Sequence, residues 1–458
     1  MTRYRTEHDS LGELQVPVNA LYGAQTQRAV QNFSISGRAM PSAFIAALGM
    51  IKAAAAKANA RLGHLDADRA QAIADAAQRI IAGEHADAFP VEVYQTGSGT
   101  SSNMNMNEVI ARIASSSSLP VHPNDHVNFA QSSNDVIPAA IQVSACLAVH
   151  NRLLPALTHL VDAIRRRADE LAQVVKTGRT HLMDAMPIRL DQELGAWAAQ
   201  LGSNRARLEH ALTSVRQLPL GGTAVGTGIN ADPGFSREVV AALAGISGYP
   251  FEVAPDLMVP IASKDEIVAL SGQLKALAAG AMKVANDLRW MNSGPLAGLG
   301  EITLPTLQPG SSIMPGKVNP VIPEALAMVC ARVMGNDVTI TIAGQSGNFQ
   351  LNVMLPVIAD TILESIDLLA NGLRSLADQV IAGFEVNPAN LERTLARNPV
   401  LITALNAQIG YERGAEIAKR AYAQGRSILE VARETLDWDE ERLKELLDPM
   451  RLTHGGLA

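Results

Sequence analysis

A chain of 458 residues is long enough for about three domains, and 47% hydrophobic against 18% charged residues favours a large core over disorder. Aromatics make up only 4% while alanine and leucine dominate, which favours helix over sheet. The net charge of −7 argues against a nucleic-acid binder, whose footprint is basic, but not against a small anion held in a local lysine pocket. Cys146 and Cys330 lie in apolar, helix-like runs without metal or disulfide spacing, so they read as buried thiols in a reducing compartment. Residues 1–14 carry both charge signs and no apolar core, unlike a signal or transit peptide. No segment reads as an uninterrupted membrane span, so a soluble, cytoplasmic protein is expected.

In chain order, residues 1–40 read as irregular, with a polar stretch around Tyr22, Gly23 and Gln25. Two alanine-rich helices are expected over 42–62 and 67–82. Two charge-poor, turn-rich segments follow, and these loops and short helices make an N-terminal domain, 1–134. Long helical patterns then occupy 135–175, 191–217, a run starting at Ser263, 320–342 and 357–380, a central bundle over 135–384. In the third of these Ser263 and Glu266 have capping-box spacing. Its apolar residues Ile267, Leu270, Leu274, Leu277, Ala281, Val284 and Leu288 alternate three and four apart, the seam of a helix packed along another. Several helices are apolar over a wide arc, for example at Leu368, Leu369, Leu373 and Leu376, which predicts association of bundles into a homo-oligomer. Shorter helices at 388–396, 402–424 and 440–447 read as a C-terminal domain, 385–458.

Four neutral polar loops carry the chemistry. In GSSIMPGKVNP, residues 310–320, Lys317 is the only charged side chain between positions 302 and 323. Gly310 and Gly316 free the backbone as flex points, Pro309, Pro315 and Pro320 stiffen it, and Asn319 before Pro320 has the form of a helix start. Ser311, Ser312 and Lys317 beside a helix N-terminus suit an anion. TGSGTSSN offers Ser98, Thr100 and Asn103; QSSND offers Ser132, Ser133 and Asn134; TGRTHLMDA offers Thr180 and His181, read as a connector between long helices. Singly, such Ser and Asn residues are ordinary helix caps. Their recurrence in four loops, with one lysine, suits a small carboxylate. Of the groups able to move protons, His181 lies in a polar loop and is of the side-chain type suited to passing a proton, and Glu324, one helical turn beyond Asn319, can orient it. Ser311 or Ser312 can act as a base only with its alkoxide stabilised by Lys317 and backbone N–H groups. The chemistry this composition suggests is proton abstraction next to a carboxylate.

Other motifs fit less well. GSGTSSN lacks dinucleotide-binding spacing and a βαβ context. The 310–317 run is one residue too long for a P-loop, with Val318 in place of Ser/Thr. GGTAVGTG at 221–228 reads as a turn where backbones approach closely. His122 and His126 have helical metal spacing, but Pro123 opposes a regular helix between them.

These blocks, together with YGAQTQRA near Tyr22, HPNDHVN and TALNAQIGYERGAEIAK near Thr403, resemble the fumarase/aspartase superfamily over nearly the whole chain. Within it the chain most resembles the metal-independent class II fumarate hydratases. The resemblance implies a mainly α, three-domain fold whose central bundles form a tetramer core, with active sites built from loops of three subunits. It implies reversible hydration of fumarate to (S)-malate in the tricarboxylic acid cycle, through an aci-carboxylate intermediate and without cofactor or metal. Ser311 would be the base, and His181, paired with Glu324, would protonate the departing hydroxyl through a water. Ser98, Thr100, Ser132, Ser133, Asn134, Thr180, Ser312, Lys317 and Asn319 would bind the dicarboxylate and water. A second anion site maps to His122, Asn124 and Asp125, although Leu119 stands where the family has a basic residue. Val321, Ile322 and Pro323 are closer to aspartate ammonia-lyase, the alternative enzyme, whereas Ser98, Ser133 and Gly316 follow the fumarases. A non-catalytic relative of the lens-crystallin kind is the alternative from another class; the matches at Ser311, Lys317, Asn319, His181 and Glu324 weigh against it.

Overall fold

Long alanine- and leucine-rich runs fold as the sequence suggests, into helices that dominate the architecture. The computed structural model describes residues 3–456. The chain is mainly α, 61% helical, and its named strands form five two-stranded pairs. Helices Ser42–Arg61 and Ala67–Ile81 end within one residue of the expected bounds. Asp66 caps the second by accepting the Arg69 N–H.

The N-terminus is more regular than its sequence suggested. Tyr4–Asp9 pairs antiparallel with Gly12–Pro17, and helix Ala24–Asn32 follows. Tyr4–Asp9 is polar on both faces and gives no strand signal; Gly12–Pro17 does alternate, with Leu14 and the buried Val16 inward and Glu13 and Gln15 outward, but over too few residues to stand out. The start of helix Ala24–Asn32 is held by Glu108, whose carboxylate accepts the N–H groups of Gly23 and Gln25, both at 2.9 Å, and the Thr26 hydroxyl at 2.6 Å. These are orphan donors that every helix start must satisfy.

The described residues divide into two compact units. One comprises the chain up to Pro155 with Asn204–Ala278 and Cys330–Ala370; the other comprises Ala156–Ser203, Ala279–Val329 and the chain from Asn371. Every division falls inside a long helix. The run expected over 135–175 is helix Ser133–Ala148, a wider π turn at Val149–Leu153 and helix Leu154–Glu170, after which the chain turns into a strand. Pro155 lies just past the π turn; proline lacks an N–H and its ring crowds the carbonyl four residues back, which a wider turn accommodates.

The remaining long helices are Leu190–Val215, Asp265–Met291, Val321–Gly344 and Leu355–Leu376. All seven seam residues from Ile267 to Leu288 are at most 1% exposed. The capping box at Ser263 does not form. The Ser263 hydroxyl accepts the Asp265 N–H at 3.3 Å, but Glu266 turns to the buried Lys264 at 3.6 Å.

By length and composition four helical runs could cross a membrane, contrary to the sequence expectation: Ser42–Arg61, Ser133–Glu170, Asp265–Met291 and Val321–Gly344. In the first three, half or more of the most apolar window is buried inside the protein, against 33% in the last.

The C-terminal helices pack round Leu405, Ile417, Ile428, Val431 and Leu443. The helix expected over 402–424 is broken at Gly410, with φ +79°, and Ile428–Thr435 is an additional helix with a Ser427–Glu430 capping box.

Because Leu274 is fully buried in the seam, Leu274→Ala should cost about 2–5 kcal/mol, seen as a lower guanidinium midpoint. An unchanged midpoint would contradict tight packing there.

Candidate active site

Residues 310–319 close into a ring. The Gly310 N–H donates to the Lys317 carbonyl at 2.9 Å, and Asn319 Nδ2 donates to the Gly310 carbonyl at 2.8 Å. Asn319 therefore ties the loop shut with its side chain instead of capping the following helix, which begins at Val321. Gly310 is required for close approach: a Cβ there would lie 2.3 Å from the Lys317 oxygen. Gly316 takes the left-handed conformation, φ +81°.

Within the ring, Ser311 Oγ accepts the backbone N–H groups of Ile313 at 3.2 Å and Met314 at 3.0 Å. Two amide dipoles aimed at one hydroxyl oxygen stabilise negative charge on it. Ser312 and Lys317 are exposed on the ring, while Asn319 and Glu324 are half-buried.

His181 lies in a setting its sequence did not suggest. It stands at the tip of a hairpin, Val175–Thr180 paired with Met183–Arg189, and not beside a helix N-terminus. His181 and Leu182 form the two-residue turn, both left-handed at φ +58° and +61°. That turn type favours Asn-Gly, so His-Leu gives no signal for it.

The hairpin's base is anchored by charges the sequence reading passed over. Lys176 is 1% exposed; its Nζ donates to Glu193 and Glu301, each at 2.7 Å, and Arg179 binds the other oxygen of Glu301. Among the described residues, the side chains of His181, Lys317 and Glu324 make no hydrogen bond or ion pair, so one chain does not join His181 to Glu324.

The remaining donors lie in the first compact unit. Ser98 Oγ and Thr100 Oγ1 are 3.0 Å apart at the start of helix Thr100–Ala114. Gln95 Oε1 accepts the N–H and hydroxyl of Ser102, both at 3.0 Å, as a remote cap. The glycines set this loop by space: a Cβ at Gly97 would fall 1.8 Å from the Val353 oxygen, and Gly99 is left-handed at φ +72° against Ile137.

Ser132 caps helix Ser133–Ala148 in a capping box with Asp135. Asp135, fully buried, also accepts the N–H groups of Gly221 and Thr223, each at 3.0 Å, and Asn134 Nδ2 donates to the Ala224 carbonyl at 2.8 Å. The GGTAVGTG segment is thus the seat of the Ser132–Asn134 donors. Its close approaches are real, with a Cβ at Gly226 only 2.4 Å from Met258. Burial pushes the Asp135 carboxyl upward, against those N–H groups, which hold it down.

His122 Nδ1 accepts the N–H groups of Asn124 at 3.3 Å and Asp125 at 3.2 Å. His126 Nδ1 takes the His122 N–H at 2.8 Å, within a π turn at Pro123–Val127. His122 and Asn124 line a cavity of about 540 Å³ with Arg5, His8, Glu108 and Arg112.

Residues 12–335 match the Lyase family, and residues 401–454 match the fumarase C C-terminus. A class II fumarate hydratase of Xylella fastidiosa (strain 9a5c) is 60% identical over 99% of this chain and 96% of that protein. Another from Pseudomonas aeruginosa is 59% identical over 100% of both. The crystal structure of a class II fumarase from Schistosoma mansoni superposes with a TM-score of 0.95 at 36% identity, covering 98% of this chain and 99% of that one.

Glu301→Ala would leave the buried Lys176 with one carboxylate in place of two. Because Glu193 still compensates the charge, the loss is that of a hydrogen bond to a charged group, about 1.5–3 kcal/mol, so a clear fall in melting temperature is expected. A melting curve like the parent's would mean the hairpin base is held by other contacts.

Proposed function

We propose how this chain, a member of the class II fumarate hydratase family, interconverts fumarate and (S)-malate. The observation that carries the reading is the pair of backbone N–H groups on Ser311 Oγ. In the dehydration direction the Ser311 alkoxide removes a proton from the malate carbon next to a carboxylate. The electron pair moves into that carboxylate and forms the aci-carboxylate dianion. Lys317 supplies a full positive charge to it, and Asn319, its amide oriented by the Gly310 carbonyl, supplies its second N–H. Collapse of the dianion forms the double bond and expels the neighbouring hydroxyl. His181, paired with Glu324, provides the proton through a bound water, and water leaves. Ser98, Thr100, Ser132, Ser133, Asn134, Thr180 and Ser312 hold the carboxylates and the water.

A site of this kind works by favouring the dianion over the substrate. One well-placed donor is worth about 3–4 kcal/mol in comparable oxyanion sites, so several are required. His122, Asn124 and Asp125 are proposed as a second anion site. With Leu119 apolar, its positive charge falls to residues such as Arg112 across the shared cavity.

The assembly proposed is a homotetramer, soluble and cytoplasmic. Each chain has three domains, 1–134, 135–384 and 385–458, and each active site collects loops from three subunits. Helix Val321–Gly344 supports this, because it leaves Met328 69%, Val338 57% and Ile342 51% exposed. Neighbouring copies would cover such side chains. Partnering of His181 and Glu324 from different chains also accounts for their lack of a contact within one.

His181→Asn and Ser311→Ala should each lower malate turnover by about 10²–10⁴-fold, followed at the fumarate absorbance, with the oligomer unchanged. Turnover near the parent's removes that residue from its role, and turnover of aspartate but not malate overturns the reaction. Mixing the two inactive variants as refolded hybrids should restore part of the activity, because some sites then receive both intact residues. Hybrids as inactive as their parents would place both residues of a site on one chain.

A further inference from the structure

Lys52 lies in the middle of helix Ser42–Arg61, is 0% exposed and has no part in the chemistry above. Burial pushes its ammonium down to about 7, against the pull of the Asp135 carboxylate. What faces its nitrogen is a set of neutral carboxamides. Lys52 Nζ donates to Asn128 Oδ1 at 3.0 Å and to Gln131 Oε1 at 2.9 Å. An ammonium has only donors to offer, so both amides must present oxygen to it.

That choice propagates. With its oxygen facing Lys52, Asn128 also accepts from Asn103 Nδ2 and Asn107 Nδ2, both at 3.1 Å. The second hydrogen of Asn103 Nδ2 goes to Ser133 Oγ at 3.2 Å. Ser133 is therefore approached by a donor from behind, which leaves its own O–H to act as a donor elsewhere.

Two orphaned atoms reveal the direction of control. Asn103 Oδ1 and Asn107 Oδ1 are buried without a hydrogen-bond partner. A buried unpaired carbonyl is unfavourable, and neither amide would choose that orientation for itself. Both keep their NH₂ ends on Asn128 because its oxygen faces Lys52 while its own Nδ2 donates to the Gln131 carbonyl at 3.2 Å; a reversed Asn103 or Asn107 amide would set oxygen against oxygen.

We propose that Lys52 is a positioning residue for substrate capture: its N–H groups, together with the Gln131 carbonyl, set the polarity of the Asn128–Asn103 amide chain and so hold the Ser133 hydroxyl as an outward donor to a substrate carboxylate. The inference rests on the reading that Ser133 contacts substrate. A double-mutant cycle on the full-length enzyme tests the two separately.

Ser133→Ala alone should raise KM for malate roughly tenfold, the effect of one hydrogen bond to a charged group, with kcat changed much less. Lys52→Met, similar in length and uncharged, should raise KM by a similar factor, and the double variant should be no worse than Ser133→Ala. Asn103→Leu, which leaves Lys52 in place and cuts the chain beyond it, should behave as Lys52→Met does and decides the matter if the buried methionine prevents folding. If Ser133→Ala leaves KM unchanged, the substrate role of Ser133 fails. If Ser133→Ala raises KM while Lys52→Met or Asn103→Leu leaves it unchanged, or multiplies with Ser133→Ala, the amide chain does not position the hydroxyl and the proposal is overturned.

Discussion

Two backbone N–H groups converging on the Ser311 oxygen are the interaction on which the proposed chemistry depends. A serine hydroxyl is a very weak acid in water, and its oxygen becomes a useful base only where fixed dipoles already point at the charge it must carry. The ring of residues 310–319 supplies that arrangement from its own backbone. Its closure by the Gly310–Lys317 and Asn319–Gly310 hydrogen bonds keeps the dipoles from relaxing away. Lys317 closes the ring with its backbone carbonyl and leaves its side chain exposed.

Everything else serves to hold neutral donors still. The Ser132–Asn134 donors are seated on Asp135 and the GGTAVGTG segment, and the Ser98–Thr100 donors on glycines that admit no side chain. The His181 hairpin stands on a buried Lys176–Glu301–Arg179 cluster. Asp135, Lys176 and Glu301 are buried and each makes two or more hydrogen bonds, so their geometry is over-determined. Two of the partners, Asp135 and Glu193, project from long helices, which tie these short, polar tips to the rigid part of the fold.

The sequence was most legible where the information is local. Helix seams announce themselves by three- and four-residue spacing, and all seven residues from Ile267 to Leu288 are buried. The donor loops were visible as charge-poor runs of Ser, Thr, Asn and Gly. Legibility failed where a long-range partner decides the outcome. Asn319 before Pro320 has every mark of a cap, yet the Gly310 carbonyl nine residues earlier claims its amide. Ser263 and Glu266 have the spacing of a capping box, but a buried Lys264 draws the glutamate away. The strand at 4–9 is polar on both faces, the alternation at 12–17 is only a few residues long, and the hairpin at 175–189 turns on His-Leu in place of Asn-Gly. Glu301 is 125 positions from Lys176, and nothing in its neighbourhood signals a buried partner.

The turn under His181 has one more consequence. Two successive side-chain-bearing residues in the left-handed region store about 1–3 kcal/mol each, energy that glycine or asparagine at those positions would release. Any search for a hardier version of this protein that scores thermal endurance alone will therefore be drawn to positions 181 and 182. With the role proposed for His181, endurance and turnover pull in opposite directions there, and the tip of this hairpin is where activity would set the limit on how robust the molecule becomes.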